Sequence, residues 1–518
     1  MSVLFPALKS MGNESVGPIF YLTARGTTRT AAENALAILR DTEPELHLRS
    51  VTLTAKDKIC LCETRECTPE ACPYANGYYA RIKGALWDVL DVPCLTAETL
   101  QEYAKRHTVC PFELGLDSSL WSDVIIGDYN YLFDPVVHLV RFFESAGDYI
   151  FLVDEAHNLP GRAREMHSAA LTKTSFYEAK KLLGKGKSSL KNALTKVNDV
   201  FIEWRHRAEE ETAARDGRFG KTFFLKERSE EFDHLLNRLC EPLEAWLDDH
   251  REPDETHTAL LQLYFDVRAW LRVADTFDDH FVLQITASGS EVRAAQLCLD
   301  PSAFLADSFA LGRAAVLFSA TLAPASYYKD LCGVPEARAV ALRSPFPAGN
   351  QGLFCIGNVS TRYKDRDASL AIVAESLATM VRARCGNYLA FFPSYAYMEQ
   401  AYAQFKEHCP EINCIKQENA MDEQQKAAFL AQFVPGPSQT LLGFAVMGGV
   451  FGEGVDLTGD RLIGVGIVGP GLPQVGPRQE QLRDYFEQTR GSGFDSAYRY
   501  PGMNKVLQAA GRVIRTPR

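Results

Sequence analysis

The sequence has no apolar run approaching the roughly 18–20 residues needed to span a bilayer. Its start, MSVLFPALKS, lacks the basic residues and long apolar stretch of a secretory signal. It also lacks an excess of basic residues: 55 Lys and Arg stand against 66 Asp and Glu, a net charge of −11. That balance excludes a protein that coats nucleic acid with positive charge, so any such contact must come from local patches. No internal repeat or low-complexity linker is found, which excludes solenoids and tethered tails. A cytoplasmic chain without membrane contact is therefore expected. At 518 residues it is too long for one core, so two to four domains are expected.

The cysteines are few but uneven. Of 13, six lie between Cys60 and Cys110. In a cytosolic chain, clustered cysteines favour a metal or iron–sulfur site over disulfides.

Short β-like runs alternate with helical stretches, which predicts an α/β fold. IFYLT (19–23), VIIGDY (124–129), YIFLVDEAH (149–157) and AVLFSATL (315–322) read as buried parallel strands running into loops. GNYLAFF (386–392), TLLGFAV (440–446) and RLIGVGIVG (461–469) form a second set, so two α/β lobes are expected. Between them, roughly 165–278, charged sequence with apolar residues at helical spacing predicts a helical insertion.

FLVDEAH is an apolar strand ending in acids, and strand ends of a parallel sheet are where ligands bind. Phosphoryl transfer needs a hard cation held by oxygen and a group that orients water. Asp154 suits Mg²⁺, Glu155 suits water activation, and His157 is placed to sense the phosphate. LFSATL (317–322) brings Ser319 and Thr321, hydroxyls able to hydrogen-bond toward the acids. QAAGRVIR (508–515) carries Gln508, Arg512 and Arg515. The two arginines, three apart on an expected helix, can point one way toward a γ-phosphate.

These motifs, in this order, resemble the iron–sulfur superfamily 2 DNA helicases of the DinG/XPD group over nearly the whole chain. YLTARGTTR (21–29) is similar to motif Ia, FLVDEAH to motif II and VLFSATL to motif III. LAFFPSY (389–395), GGVFGEGVDLTG (448–459) and QAAGRVIR are similar to motifs IV, V and VI. The resemblance implies two RecA-like lobes with ATP hydrolysis at their interface and 5′-to-3′ travel on single-stranded or forked DNA, as a monomer, in repair or replication. It assigns residues 1–55, 113–164 and 279–335 to the first lobe, 56–112 to an iron–sulfur domain, 165–278 to an arch-like helical insertion and 336–518 to the second lobe. To nucleotide binding it adds Glu453, Gly454 and Asp456 of motif V.

One part is missing. A phosphate loop needs a strand, a glycine-rich turn and Gly-Lys-Ser/Thr opening a helix. Gly220-Lys221-Thr222 has Arg215 where the first glycine belongs, and Gly186-Lys187-Ser188 has Lys181 there. Both follow the acidic box in charged helical sequence. In the resembled family the helix read from SVLFPALKSM directly follows that loop. The expectation is a fragment starting just past the loop and ending just past motif VI, weak in ATP hydrolysis by itself.

Four thiolates can hold a [4Fe–4S] cluster or a Zn²⁺. The spacing fits no simple zinc ribbon, and the resemblance puts a cluster domain here. Cys60, Cys67, Cys72 and Cys110 are assigned, Cys62 competes for the Cys60 or Cys67 role, and Cys94 is left over. Single strands are gripped through phosphates and by stacking on aromatic rings. Arg25 and Arg29, with Thr23 and Thr27, are expected at phosphates. Tyr74, Tyr78, Tyr79, Arg81 and Lys83 near the cysteines, and Tyr129 with Tyr131, are candidates for wedge and pore. The alternative is a non-catalytic nucleic-acid-binding ATPase relic. A two-metal nuclease would need a cluster of carboxylates that the sequence offers only at the acidic box.

Overall fold

Runs rich in Ile, Val, Leu and Phe, buried on both faces, make parallel strands. In the computed structural model Ile19–Thr23 (β1), Val124–Asp128 (β4) and Ile150–Asp154 (β5) are such runs, joined by the shorter Ser50–Thr52 (β2) and Cys94–Leu95 (β3). The chain then leaves the sheet for Ala169–Thr172 (β6), Lys221–Leu225 (β7), Phe281–Ser288 (β8) and Glu291–Cys298 (β9), and returns with Ala314–Phe318 (β10). All residues are described except 1, 2, 14, 15, 25, 44, 187, 215–219, 253, 450, 453–456 and 515–518. They divide into two units, Met1–Leu322 with Tyr328–Glu336, and Ala323–Tyr327 with Ala337–Arg518.

The first unit's main sheet has the order β10-β5-β1-β4-β2-β3, and every pairing in it is parallel. Carboxyl ends therefore share one edge: Thr23 lies opposite Asp128, and Phe318 opposite Asp154. One face packs on Phe20, Phe142, Phe143 and Tyr149, whose rings meet at 4.9–6.2 Å. The other packs under helices Leu4–Asn13 and Gly26–Thr42 through Leu4, Ala32 and Leu36. β10 closes one side of the sheet. Its Ala314, Ala315 and Val316 are exposed, Val316 by 40%.

The stretch expected to be a helical insertion over 165–278 contains four long helices, Lys173–Leu182, Ser189–Ala214, Glu230–Asp249 and Glu255–Asp275. It reaches beyond the expected boundary. β8 and β9 do not join the parallel sheet; they form an antiparallel sheet, order β6-β9-β8-β7, with strands from inside the insertion. Phe201, Phe232 and Trp270 centre a separate core between this sheet and the helices.

In the second unit Asn387–Phe392 (β11), Asn413–Lys416 (β12), Leu441–Val446 (β13) and Gly464–Ile467 (β14) form a parallel sheet of order β12-β13-β11-β14. Helices Arg366–Ala383 and Tyr395–His408 bury Val373, Leu377, Tyr397 and Phe405 in its core.

Candidate nucleotide site and nucleic-acid interface

The acidic box sits at the carboxyl end of β5, beside the end of β10. Asp154 is the last residue of β5 and Glu155 follows in a left-handed conformation, φ 49°. A non-glycine residue there is uncommon and costs energy, and such strain gathers at functional sites. The turn lets the Glu155 amide donate to Asp154 Oδ1 at 2.8 Å and sends its own carboxylate toward β10. There the Ser319 hydroxyl donates to Glu155 Oε2 at 3.0 Å, while His157 Nδ1 lies 2.8 Å from Ser319 Oγ. With its single proton given to Glu155, Ser319 accepts from His157 Nδ1–H, which fixes the tautomer. The Thr321 amide donates to Ser319 Oγ at 3.2 Å, and Thr321 Oγ1 is 3.4 Å from His157 Nδ1. Thus Glu155, His157, Ser319 and Thr321 form one hydrogen-bonded set inside the first unit.

Two tyrosines hold Asp154. Tyr21 on β1 donates its hydroxyl to Asp154 Oδ2 at 2.9 Å, and the Tyr129 hydroxyl donates to the Asp154 carbonyl. Burial raises the Asp154 carboxyl above the ordinary range, opposed by the Tyr21 hydrogen bond and reinforced by the charge of Glu155. Burial, then Asp154, raises the Tyr21 phenol, so it stays a donor at any physiological pH. The motif reading missed Tyr21. The available signal was its register: on a central parallel strand, two residues before the strand end, beside the strand of the acidic box.

The expected nucleic-acid residues fare differently. Tyr129 is 0% exposed and Tyr131 6%, so neither offers a ring to a base. Tyr131 instead packs over Gly127, where a Cβ would lie 2.7 Å from its ring. Thr23 is buried. Arg29 turns inward, donating to the Leu53 carbonyl at 3.2 Å and lying 3.7 Å from Asp128. Tyr78 is also a core residue, donating to Asp117 at 2.8 Å. Arg81 is engaged with backbone carbonyls. Arg25 lies outside the described residues, as do the side chain of Thr27 and the motif V residues Glu453, Gly454 and Asp456. Tyr79, 88% exposed, Tyr74 and Lys83 remain available.

Near the C-terminus the helix Tyr500–Ala510 holds Gln508 but ends before the first arginine. Arg512 sits in a 3-10 turn, Gly511–Val513, and is buried; Arg515 lies outside the described residues. Arg512 therefore does not lie on an α-helix, as the motif reading expected. In the same unit Gln417, also missed, accepts from the Val446 amide at 3.0 Å and donates to the Tyr395 hydroxyl at 2.7 Å, tying motif IV to the strand entering motif V.

Both Gly-Lys-Ser/Thr sequences fall in the insertion. Lys221 opens antiparallel β7 and pairs with Glu209 at 2.7 Å. Gly186 and Ser188 lie between two helices. Among the described residues neither stands at the carboxyl end of a parallel strand, so neither is a phosphate loop.

Cys60, Cys62, Cys67 and Cys72 line one loop, with Cys110 at the start of helix Pro111–Ser119. All are free thiols, and Cys62 Sγ lies 3.9 Å from Cys72 Sγ. Lys56 pairs with Glu113 at 3.5 Å and interacts electrostatically with Cys67 and Cys110. Cys94 stands apart on edge strand β3. The donor chemistry, thiols alone from a loop and a neighbouring helix start, suits either an iron–sulfur cluster or Zn²⁺. No group of three or more His, Cys, Asp or Glu side chains closes on a common point among the described residues.

Two RecA-like parallel sheets, the first ending in the Asp-Glu-Ala-His set, give the fold that the motif resemblance implies. Comparisons with known proteins agree. The DEAD_2 family model matches residues 42–176, and the Helicase C-terminal domain model matches residues 377–518. The ATP-dependent DNA helicase CHL1 of Coccidioides immitis is 22% identical, covering 81% of this chain and 56% of that protein. The General transcription and DNA repair factor IIH helicase subunit XPD of Schizosaccharomyces pombe is 23% identical, covering 81% of this chain and 64% of that protein. The chain thus spans between about half and two thirds of these relatives' length. A solved XPD helicase superposes with a TM-score of 0.58 at 17% identity, covering 96% of this chain and 85% of that one. The DEAD_2 and Helicase C-terminal domain matches, with these relatives, support an XPD/DinG-group superfamily 2 helicase. No described helix is long and apolar enough to cross a membrane.

Proposed function

We propose that the chain works in an ATP-dependent DNA helicase or translocase that moves 5′-to-3′ on single-stranded or forked DNA during repair or replication. The observation that carries this reading is the hydrogen-bonded set Glu155–Ser319–His157–Thr321 beside Asp154. Asp154 would hold Mg²⁺, Glu155 would orient the attacking water, and His157, bonded to Ser319 and Thr321, would sense the phosphate and pass that state on. Gln508, Arg512, Arg515 and the motif V residues Glu453, Gly454 and Asp456 are assigned to the nucleotide as well. Arg25 and the exposed Tyr79 are assigned to DNA. Cys60, Cys67, Cys72 and Cys110, with Cys62 competing, are assigned to a [4Fe–4S] cluster.

Among the described residues no phosphate-loop lysine stands at a strand end, which favours a second reading: a non-catalytic nucleic-acid-binding ATPase relic. Steady-state ATP hydrolysis with and without single-stranded DNA, beside Glu155→Gln, separates the two. Low turnover, with nucleotide and Mg²⁺ still altering DNA affinity, fits the proposal. Rapid DNA-stimulated turnover abolished in Glu155→Gln overturns the second reading. DNA affinity insensitive to both nucleotide and Glu155→Gln overturns the helicase reading.

A further inference from the structure

One guanidinium joins the two segments that carry Cys72 and Cys110. Arg81, in the helix Tyr78–Val89, donates from Nε to the Thr108 carbonyl at 2.9 Å and from Nη2 to the same oxygen at 2.7 Å. Nη2 also donates to the Pro73 carbonyl at 3.1 Å and to the Asn76 carbonyl. Pro73 directly follows Cys72, and Thr108 stands two residues before Cys110.

The backbone on both sides is shaped for this contact. Thr108 is left-handed, φ 53°, as the residue ending helix Ala97–His107. A β-branched residue is disfavoured in that conformation, and its carbonyl is the one gripped twice. Gly77 is left-handed too, φ 65°, and a Cβ there would lie 2.8 Å from Arg81 Nη1. The helix itself is anchored: the neighbouring Tyr78 is buried and donates to Asp117 at 2.8 Å. Sequence reading takes Arg81 as a cation for DNA, but its donors are aimed at the protein's own backbone. Lysine, a single ammonium point charge, cannot reproduce a planar fork that spans two segments.

We propose that Arg81 is a positioning residue for the thiol set: it clasps the Cys72 and Cys110 segments together so that their sulfurs can serve one iron–sulfur cluster. This rests on the cluster reading given above, and the experiment separates the two. The full chain is made anaerobically as wild type, Arg81→Ala, Arg81→Lys and Gly77→Ala. In the first arm the metal is stripped, and alkylation by iodoacetamide is followed at each cysteine by mass spectrometry. All three variants should be labelled at Cys72 and Cys110 faster than wild type, by about tenfold for Arg81→Ala, where charged hydrogen bonds are lost. The deeply buried Cys298 and Cys332 should stay protected. Unchanged rates at Cys72 and Cys110, or all cysteines rising together, overturn the clasp. In the second arm iron, sulfide and absorbance near ~400 nm are followed during exposure to a chelator. Wild type should retain iron several-fold longer than the variants. Equal retention overturns the clasp; a wild type that takes up no iron and sulfide overturns the cluster reading and the ligand role with it.

Discussion

Ser319 donates to Glu155 Oε2 at 3.0 Å across 164 residues of sequence. This contact couples the strand after the insertion to the acid assigned to water. Ser319→Ala breaks it and leaves Glu155 and His157 without their bridge. Folding stability should fall by about 1 kcal/mol. ATP turnover should fall by about tenfold or more, the effect expected for one positioned acid–base group. Turnover equal to wild type would remove Ser319 from the mechanism.

Asp154 carries a stability cost. Burial raises its carboxyl, so the folded chain holds that proton more tightly than the unfolded chain does. Stability then falls as pH rises through the window between the unfolded value, about 3.9, and the raised folded value, and the cost stays at neutral pH. Asp154→Asn should therefore raise the melting temperature near pH 7 and lose that advantage below about pH 4. Mg²⁺-dependent nucleotide binding should disappear in the same variant. A lower melting temperature at neutral pH would contradict the assignment.

Tyr21→Phe keeps the ring and removes the donor to Asp154 Oδ2. That hydrogen bond opposes the effect of burial, so without it the carboxyl moves further up. The acid limb of Mg²⁺-dependent nucleotide binding should shift to higher pH, at a stability cost of about 1 kcal/mol. A pH titration of binding with an unmoved limb would refute a role for the phenol.

The tyrosines separate by burial. Tyr131→Ala empties a packed site over Gly127 and should cost about 3–5 kcal/mol in denaturant unfolding. Tyr79→Ala, at a solvent-exposed ring, should change stability by less than about 0.5 kcal/mol while weakening single-strand binding. The opposite pattern, with Tyr131→Ala stable and deficient in DNA binding, would restore Tyr131 to the track.

What the sequence made legible were the parts governed by local pattern. An apolar run such as IFLVD needs two covered faces, so β5 and the edge where Asp154 stands could be read directly. The burial of Tyr129 and the inward turn of Arg29 depend on β4 and on Leu53, contacts that no spacing reveals. The insertion's boundary was missed although a cue existed: Gly289, at φ 60°, joins two runs of strand-forming residues, the signature of a hairpin. The helix end before Arg512 also had a cue, since Gly511 in QAAGRVIR caps helix Tyr500–Ala510 and opens the 3-10 turn.

β10 stands at the end of its sheet, and its Ala314, Ala315 and Val316 are exposed with no charged side chain among the three. Natural edge strands are shielded by lysine, proline, bulges or a covering helix, since an open backbone edge is a template for pairing. The strand that delivers Ser319 is therefore also a candidate seed for self-association, and the solubility of this chain and the integrity of its nucleotide site should decline together as concentration rises.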